Sequence, residues 1–299
     1  MPARAKRGSP ALHTSEISSP LTKDAVSPLS ASYPVVRVIG NFHSTIYDEI
    51  AVEEPLQIRL AGEDLAVLMR SPGHDIELVA GYLFSEGIIH SRDDIEDIRT
   101  CASETELPSN IVNVHPKDRT LLQPSSWGRL SEGYSSCGIC GKSTIAQVMR
   151  QIPSLGKTIQ VETATLYRLA QQIEYAQATF HQTGGLHAAA LFSSEGDMLM
   201  LREDVGRHNA VDKIIGHALL NGELPLSSCI MAVTSRASFE VVQKAANAGV
   251  SILAVMSAPS SLAMQLAEET GMTLIAFLRA ARFNIYSGGH RIVSIEAVQ

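Results

Sequence analysis

Three short apolar runs, CIMAVTS, SILAVMS and TLIAFLR, fall between residues 229 and 279, and the helix-length stretches FEVVQKAANAG and SLAMQLAEETG separate them. Apolar strands alternating with amphipathic helices imply a sheet with strands buried on both faces and helices packed against it. Few architectures satisfy that pattern. Upstream, AAALFS and MLMLRE read as two more strands and RHNAVDKIIGHALLNG as a helix. VETATLYRLAQQIEYAQATFHQTGG reads as another helix, with Thr163 or Thr165 as N-cap and Gly184 as its stop. The expected fold class is α/β, a mixed or mostly parallel sheet domain over residues 144–299.

The first part of the chain has a different texture. Residues 1–34 are rich in Ser, Pro, Ala and Thr, a composition that buries too little to offset its ordering entropy, and they read as a disordered tail. EEPLQIRLAG and EDLAVLMRSPG alternate apolar and polar residues around an Ala-Gly-Glu turn, the signature of a hairpin. DIELVAGYLFSEGII then shows helical spacing, and NIVNVHP and RTLLQP read as further strands. A smaller α+β domain over 35–129 is expected, joined to the second domain by a glycine- and serine-rich mobile loop at 130–143.

Composition narrows the function classes. A formal net charge of −7 argues against a general nucleic-acid binder, which normally carries a basic face, and leaves room for a local basic pocket that takes one phosphate ligand. No apolar run approaches the ~20 residues of a membrane span, and the basic start MPARAKRGSP lacks the apolar stretch of a secretory signal. The expected compartment is the cytoplasm, where thiols stay reduced.

Ligands of such sheets sit beyond the carboxyl ends of the strands, where the chain here reads REDVGRHN, TSRASFE, MSAPSS and FLRAAR. Three of these tips open helices, whose free N–H groups favour an anion. Arg207, Arg236, Arg279 and Arg282 add charge suited to phosphate. Arg207, His208, Ser235 and Arg236 are therefore candidate ligand-rim residues. The plainer alternative makes Asp204, Ser235, Ser238 and Ser260 helix caps only.

The remaining motif is SSCGICGKST, with Cys137 and Cys140 three positions apart. A structural zinc site needs four ligands, and Cys101 and Cys229 are isolated, so no zinc is expected. Zinc deamination would need H-x-E, but Ala189 stands two positions after His187. A phosphate loop would need a first glycine where Ser136 stands, and no apolar strand runs into it. A redox dithiol and a sulfur-carrying thiol remain. Lys142 and the start of the helix KSTIAQVMRQI both favour a thiolate, and glycine neighbours leave it accessible.

SSCGICGKS, TGGLHAAAL, REDVGRHNAVDKIIG, TSRASFEVVQKAANAGVSILAVMSAPSSLA and TLIAFLR, in this order, resemble the FdhD family of formate dehydrogenase accessory sulfurtransferases, from about Val35 to near Arg291. The resemblance implies a cytidine deaminase-like second domain beside a smaller N-terminal one. It also implies a sulfur carrier that takes sulfur from a cysteine desulfurase as a persulfide on Cys137, with Cys140 assisting or resolving. The sulfur then passes to the bis(molybdopterin guanine dinucleotide) molybdenum cofactor before that cofactor enters apo-formate dehydrogenase. The family's cofactor-binding stretch falls on Phe277, Leu278, Arg279, Ala280, Ala281 and Arg282. Where family members often carry Lys-Pro-Gly, this chain reads Arg-Ala-Ala, keeping the charge but changing the turn chemistry. A homodimer is compatible with this reading, and the competing one is a non-catalytic chaperone for the cofactor.

Overall fold

Strand alternation in the apolar runs sends successive side chains to opposite faces, and both faces are covered. The computed structural model describes residues 28–101, 110–118, 155 and 159–293. Six strands form the main sheet in the order β13-β12-β11-β10-β8-β9: β8 (His187–Phe192), β9 (Met198–Asp204), β10 (Ile230–Val233), β11 (Ile252–Val255), β12 (Thr273–Arg279) and β13 (Arg282–Ser287). Met231, Val233, Leu253 and Val255 meet the helices α4 (Arg207–Leu220), α5 (Phe239–Asn247) and α6 (Ser261–Thr270) on one face. Ile230, Ala232, Ile252 and Ala254 meet α2 (Thr163–Ala176) on the other.

The sheet is mixed rather than mostly parallel. β10, β11 and β12 pair in parallel through the crossovers α5 and α6. β8, β9 and β13 run antiparallel to their neighbours, because short turns rather than helices connect β8 to β9 and β12 to β13. The helix expected to end at Gly184 is interrupted at Gln177, leaving the short α3 (Ala178–Thr183). Its C-cap is indeed Gly184, in the left-handed conformation that closes helices. Glu162, not a threonine, is the N-cap of α2, and the Thr163 hydroxyl donates instead to the Val293 carbonyl.

Before this sheet comes a four-stranded one, β4-β3-β6-β5, built from β3 (Glu54–Leu60), β4 (Glu63–Arg70), β5 (Ile95–Thr100) and β6 (Ile111–Pro116). It packs on α1 (Asp75–Ser85) around Leu56, Ile58, Leu78, Leu83 and Val112. The far side of α1 lies directly on α4. At that crossing, a Cβ on Gly81 would clash with the Asp212 carbonyl, and one on Gly216 with the Glu77 carbonyl. The elements therefore stack as sheet, helix, helices, sheet, helix.

One hairpin stands apart. β1 (Ser30–Ile39) and β2 (Phe42–Ala51) pair antiparallel over their full length. β1 begins inside the stretch expected to be disordered, because YPVVRVI alternates well enough to pair despite Pro34. Two further short strands, β7 (Val161–Glu162) and β14 (Ile292–Val293), pair in parallel beside the main sheet. The expected strand at RTLLQP, the helix KSTIAQVMRQI and the whole loop at 130–143 with its cysteines lie outside the described residues.

Candidate functional site

All four tips singled out in the sequence lie at one end of the main sheet. β8 and β9 are antiparallel, which brings His187, the first residue of β8, opposite Asp204, the last of β9, at the carboxyl end of β10. Backbone hydrogen bonds stitch the three parallel tips into one ledge. Met256 N–H donates to the Val233 carbonyl, Ser260 N–H to Ala237 and Phe277 N–H to Ser257, at 3.0, 2.9 and 3.2 Å. The Arg279 guanidinium joins them from the side, donating to the Met256 carbonyl at 2.6 Å. The N-termini of α4, α5 and α6 all open at this ledge, so their dipoles reinforce each other toward a bound anion.

Predicted site residues divide by burial. Arg236, Phe277, Arg279, Ala280, Ala281 and Arg282 are exposed on the ledge, whereas the side chains of Leu278 and Ser235 are buried. Leu278 packs in the core beneath, and the Ser235 hydroxyl donates to the Arg236 carbonyl at 3.0 Å. Both can offer a ligand only their backbone. Arg207 is half-buried and His208 buried. Ser238 and Ser260 are the caps foreseen for them, accepting from Val241 N–H and Ala263 N–H.

The turn after β12 takes an unusual path. Phe277 and Leu278 together oppose a single residue of β13, a bulge between the pairs Ala276–Asn284 and Arg279–Arg282. Phe277 has φ 55°, a left-handed conformation that side chains this bulky rarely adopt. Strain of that kind collects at ligand clamps. It lifts the Phe277 ring, 39% exposed, out of the sheet beside Arg279. The Ala280–Ala281 link itself needs no positive φ, so the loss of a glycine there is accommodated.

A buried network holds the other side of the ledge. Asp204, fully buried, pairs with Lys213 at 2.7 Å and accepts from the N–H groups of Ser71 and Gly206 and from Asn209 Nδ2. Lys213 also donates to the Ser71 carbonyl, and Asn209 to that of Met69, so the end of β4 is fastened to the start of α4. Asp204 is therefore neither a cap of α4, which has Gly206 at that position, nor a ligand group. Burial, together with nearby Arg207 and His208, lowers the pKa of the His187 imidazole. Sequence reasoning set His187 aside once deamination failed, although its place at the start of β8 is central to the ledge.

Among known proteins, the FdhD/NarQ family model matches residues 51–293. The chain belongs to the FdhD/NarQ family. Sulfur carrier protein FdhD of Streptomyces avermitilis is 46% identical over 264 residues, covering 86% of this chain and 94% of that protein. The protein of the same description from Saccharolobus solfataricus is 41% identical over 265 residues, 87% of this chain and 97% of the relative. A crystal structure from Desulfotalea psychrophila, described as a candidate formate dehydrogenase accessory protein, superimposes with a TM-score of 0.72 at 25% identity. It covers 89% of this chain and 100% of its own. Among the described residues, no helix is long and apolar enough to cross a membrane.

Proposed function

We propose that the chain is a cytoplasmic sulfur carrier and sulfurtransferase serving formate dehydrogenase. The observation that carries this reading is the family match over residues 51–293, which takes in both the C-x-x-C motif and the strand-tip ledge. The Cys137 thiolate attacks the terminal sulfur of a persulfide on a cysteine desulfurase; the donor thiolate leaves, and Cys137 holds the sulfur. Cys140 assists or resolves. The recipient is the bis(molybdopterin guanine dinucleotide) molybdenum cofactor, bound as substrate and passed afterwards to the apo-dehydrogenase. On this reading the ledge holds its nucleotide part, with Arg207, Arg236, Arg279 and Arg282 at phosphate oxygens and Phe277 against the base or sugar. A cytidine deaminase-like fold for the second domain is part of this reading.

Reach is compatible with this transfer. Leu155 is anchored through its N–H to the Thr270 carbonyl, at the end of the sheet opposite the ledge. Cys137 lies eighteen positions before it. A chain of that length spans up to about 60 Å, against the roughly 25 Å of a seven-residue strand.

Incubation with a cysteine desulfurase and cysteine is expected to add one sulfur to Cys137, visible by mass spectrometry and absent from Cys137→Ala. That variant should also leave formate dehydrogenase inactive. Full dehydrogenase activity with both cysteines replaced would instead favour the chaperone reading. We further infer a homodimer, supported by the β1–β2 hairpin.

A further inference from the structure

The first turn of α4 contradicts the usual charge preference of a helix. It opens with Arg207 and His208 and has no acidic residue, so basic groups stand at the positive end of the dipole. Moreover, Arg207 Nε is buried and has no hydrogen-bond partner among the described residues.

The compensation comes from the next helix. His208 Nε2 lies 2.8 Å from Glu240 Oε2, with side-chain exposures of 9% and 10%. Glu240 occupies the first turn of α5, where a carboxylate is favoured. The Ser238 hydroxyl, cap of that helix, stands 3.4 Å from the same imidazole nitrogen. A carboxylate clamped on an imidazole fixes the ring's orientation, as second-layer carboxylates do for functional histidines. A local rule broken in one element and answered from its neighbour is expected where a site demands it.

We infer that Glu240 is a positioning residue which, acting through His208, fixes an imidazole beside Arg207 for the phosphate oxygens of a bound nucleotide. The inference rests on the nucleotide-carrying ledge proposed above and deepens it. It assigns the phosphates to the α4–α5 side of the ledge and gives Glu240 a role that a helix-stabilising pair would not have.

Titration calorimetry on the full chain with guanosine diphosphate and with guanosine tests it. Glu240→Gln should weaken guanosine diphosphate about tenfold while leaving guanosine unchanged. His208→Gln should do the same, and the double variant should bind no more weakly than His208→Gln alone, since Glu240 then has nothing to position. Unchanged diphosphate affinity in Glu240→Gln, losses that simply add, or equal losses for both ligands would overturn the assignment. Should thermal melts show that Glu240→Gln does not fold, Glu240→Asp is titrated instead. Its shorter side chain should still lose part of the diphosphate affinity, and wild-type affinity there would overturn the assignment equally. A wild-type chain that binds neither ligand sinks the nucleotide ledge itself, whereas diphosphate binding indifferent to Glu240 sinks only the positioning role.

Discussion

Glu77 shows how much one side chain can tie together. Its carboxylate accepts from Arg202 Nε and Nη2 at 2.7 and 2.9 Å, lies 3.0 Å from His217 Nδ1, and pairs with His74 at 3.3 Å. Burial alone would raise its pKa, but the hydrogen bonds with His74, Arg202 and His217 outweigh burial and hold the carboxyl far below the usual carboxylate range. A depressed folded-state pKa contributes stability that is complete above the ordinary value of 4.5 and is lost as pH falls below it. Glu77→Gln should therefore be less stable than wild type at pH 7, by roughly 2 kcal/mol. Urea melts between pH 7 and pH 3 should show that gap narrowing below pH 4.5, and a gap independent of pH would refute the account. No sequence pattern pointed to Glu77, because its partners Arg202 and His217 stand 125 and 140 positions away. By contrast, the places of Arg207, Arg236, Arg279 and Arg282 were legible, since each stands at or just after the carboxyl end of a strand that the sequence already marked. The inward turn of the Ser235 hydroxyl was not legible, because a hydroxyl at a strand tip looks the same in sequence whether it turns outward or inward.

At the scale of elements, the crossing of α1 on α4 joins the two sheets. Gly81 and Gly216 let the helix backbones touch, and the polar groups around them depend on that approach. Ser85 donates to Asp212 at 2.7 Å, and Lys244 reaches both Asp212 oxygens at 2.8 and 2.7 Å. Gly81→Ala or Gly216→Ala would drive a methyl group into a backbone carbonyl that cannot rotate away. Each should lower stability by about 3 kcal/mol or more, at or beyond the upper end for overpacking, and spread the buried Asp212–Lys244 pair. Gly289→Ala, whose Cβ would sit 3.7 Å from an Ile285 methyl, is the neutral control. Similar melting temperatures for all three would show that the crossing is looser than described. Helical spacing in DIELVAGYLFS made α1 readable, but periodicity says which face is apolar and not which helix it meets. β13 escaped notice for a related reason. RFNIYS carries alternate apolar residues of only moderate burial, and a sheet edge requires no more of them.

For the whole molecule, the hairpin of β1 and β2 is the part that the described residues alone do not explain. Both of its faces meet solvent: Val36, Val38 and Tyr47 on one, and Tyr33, Ile39 and Phe42 on the other, with Phe42 83% exposed. An isolated two-stranded ribbon is marginal in water, and the packing described for this one is mainly against the short helix α3. Each of its strands has ten residues, so the ribbon alone approaches the roughly 20 residues per side of a standard interface. Between Ser30 and Ala51 it carries Arg37 against Asp48 and Glu49, a balance that sets up no strong self-repulsion. A second copy presenting the same arm can cover these faces by two-fold exchange, the usual symmetry of soluble dimers. Light scattering should then give twice 32.2 kDa for the wild type at micromolar concentration. Val36→Glu with Val38→Glu, on one face, should give the monomer mass with an unchanged circular dichroism spectrum. A monomeric wild type, or a charged double variant that stays dimeric, would mean that some other partner or surface covers the arm. Because the hairpin lies outside the ledge, the monomeric variant should still bind guanosine diphosphate, which separates assembly from ligand binding in one preparation.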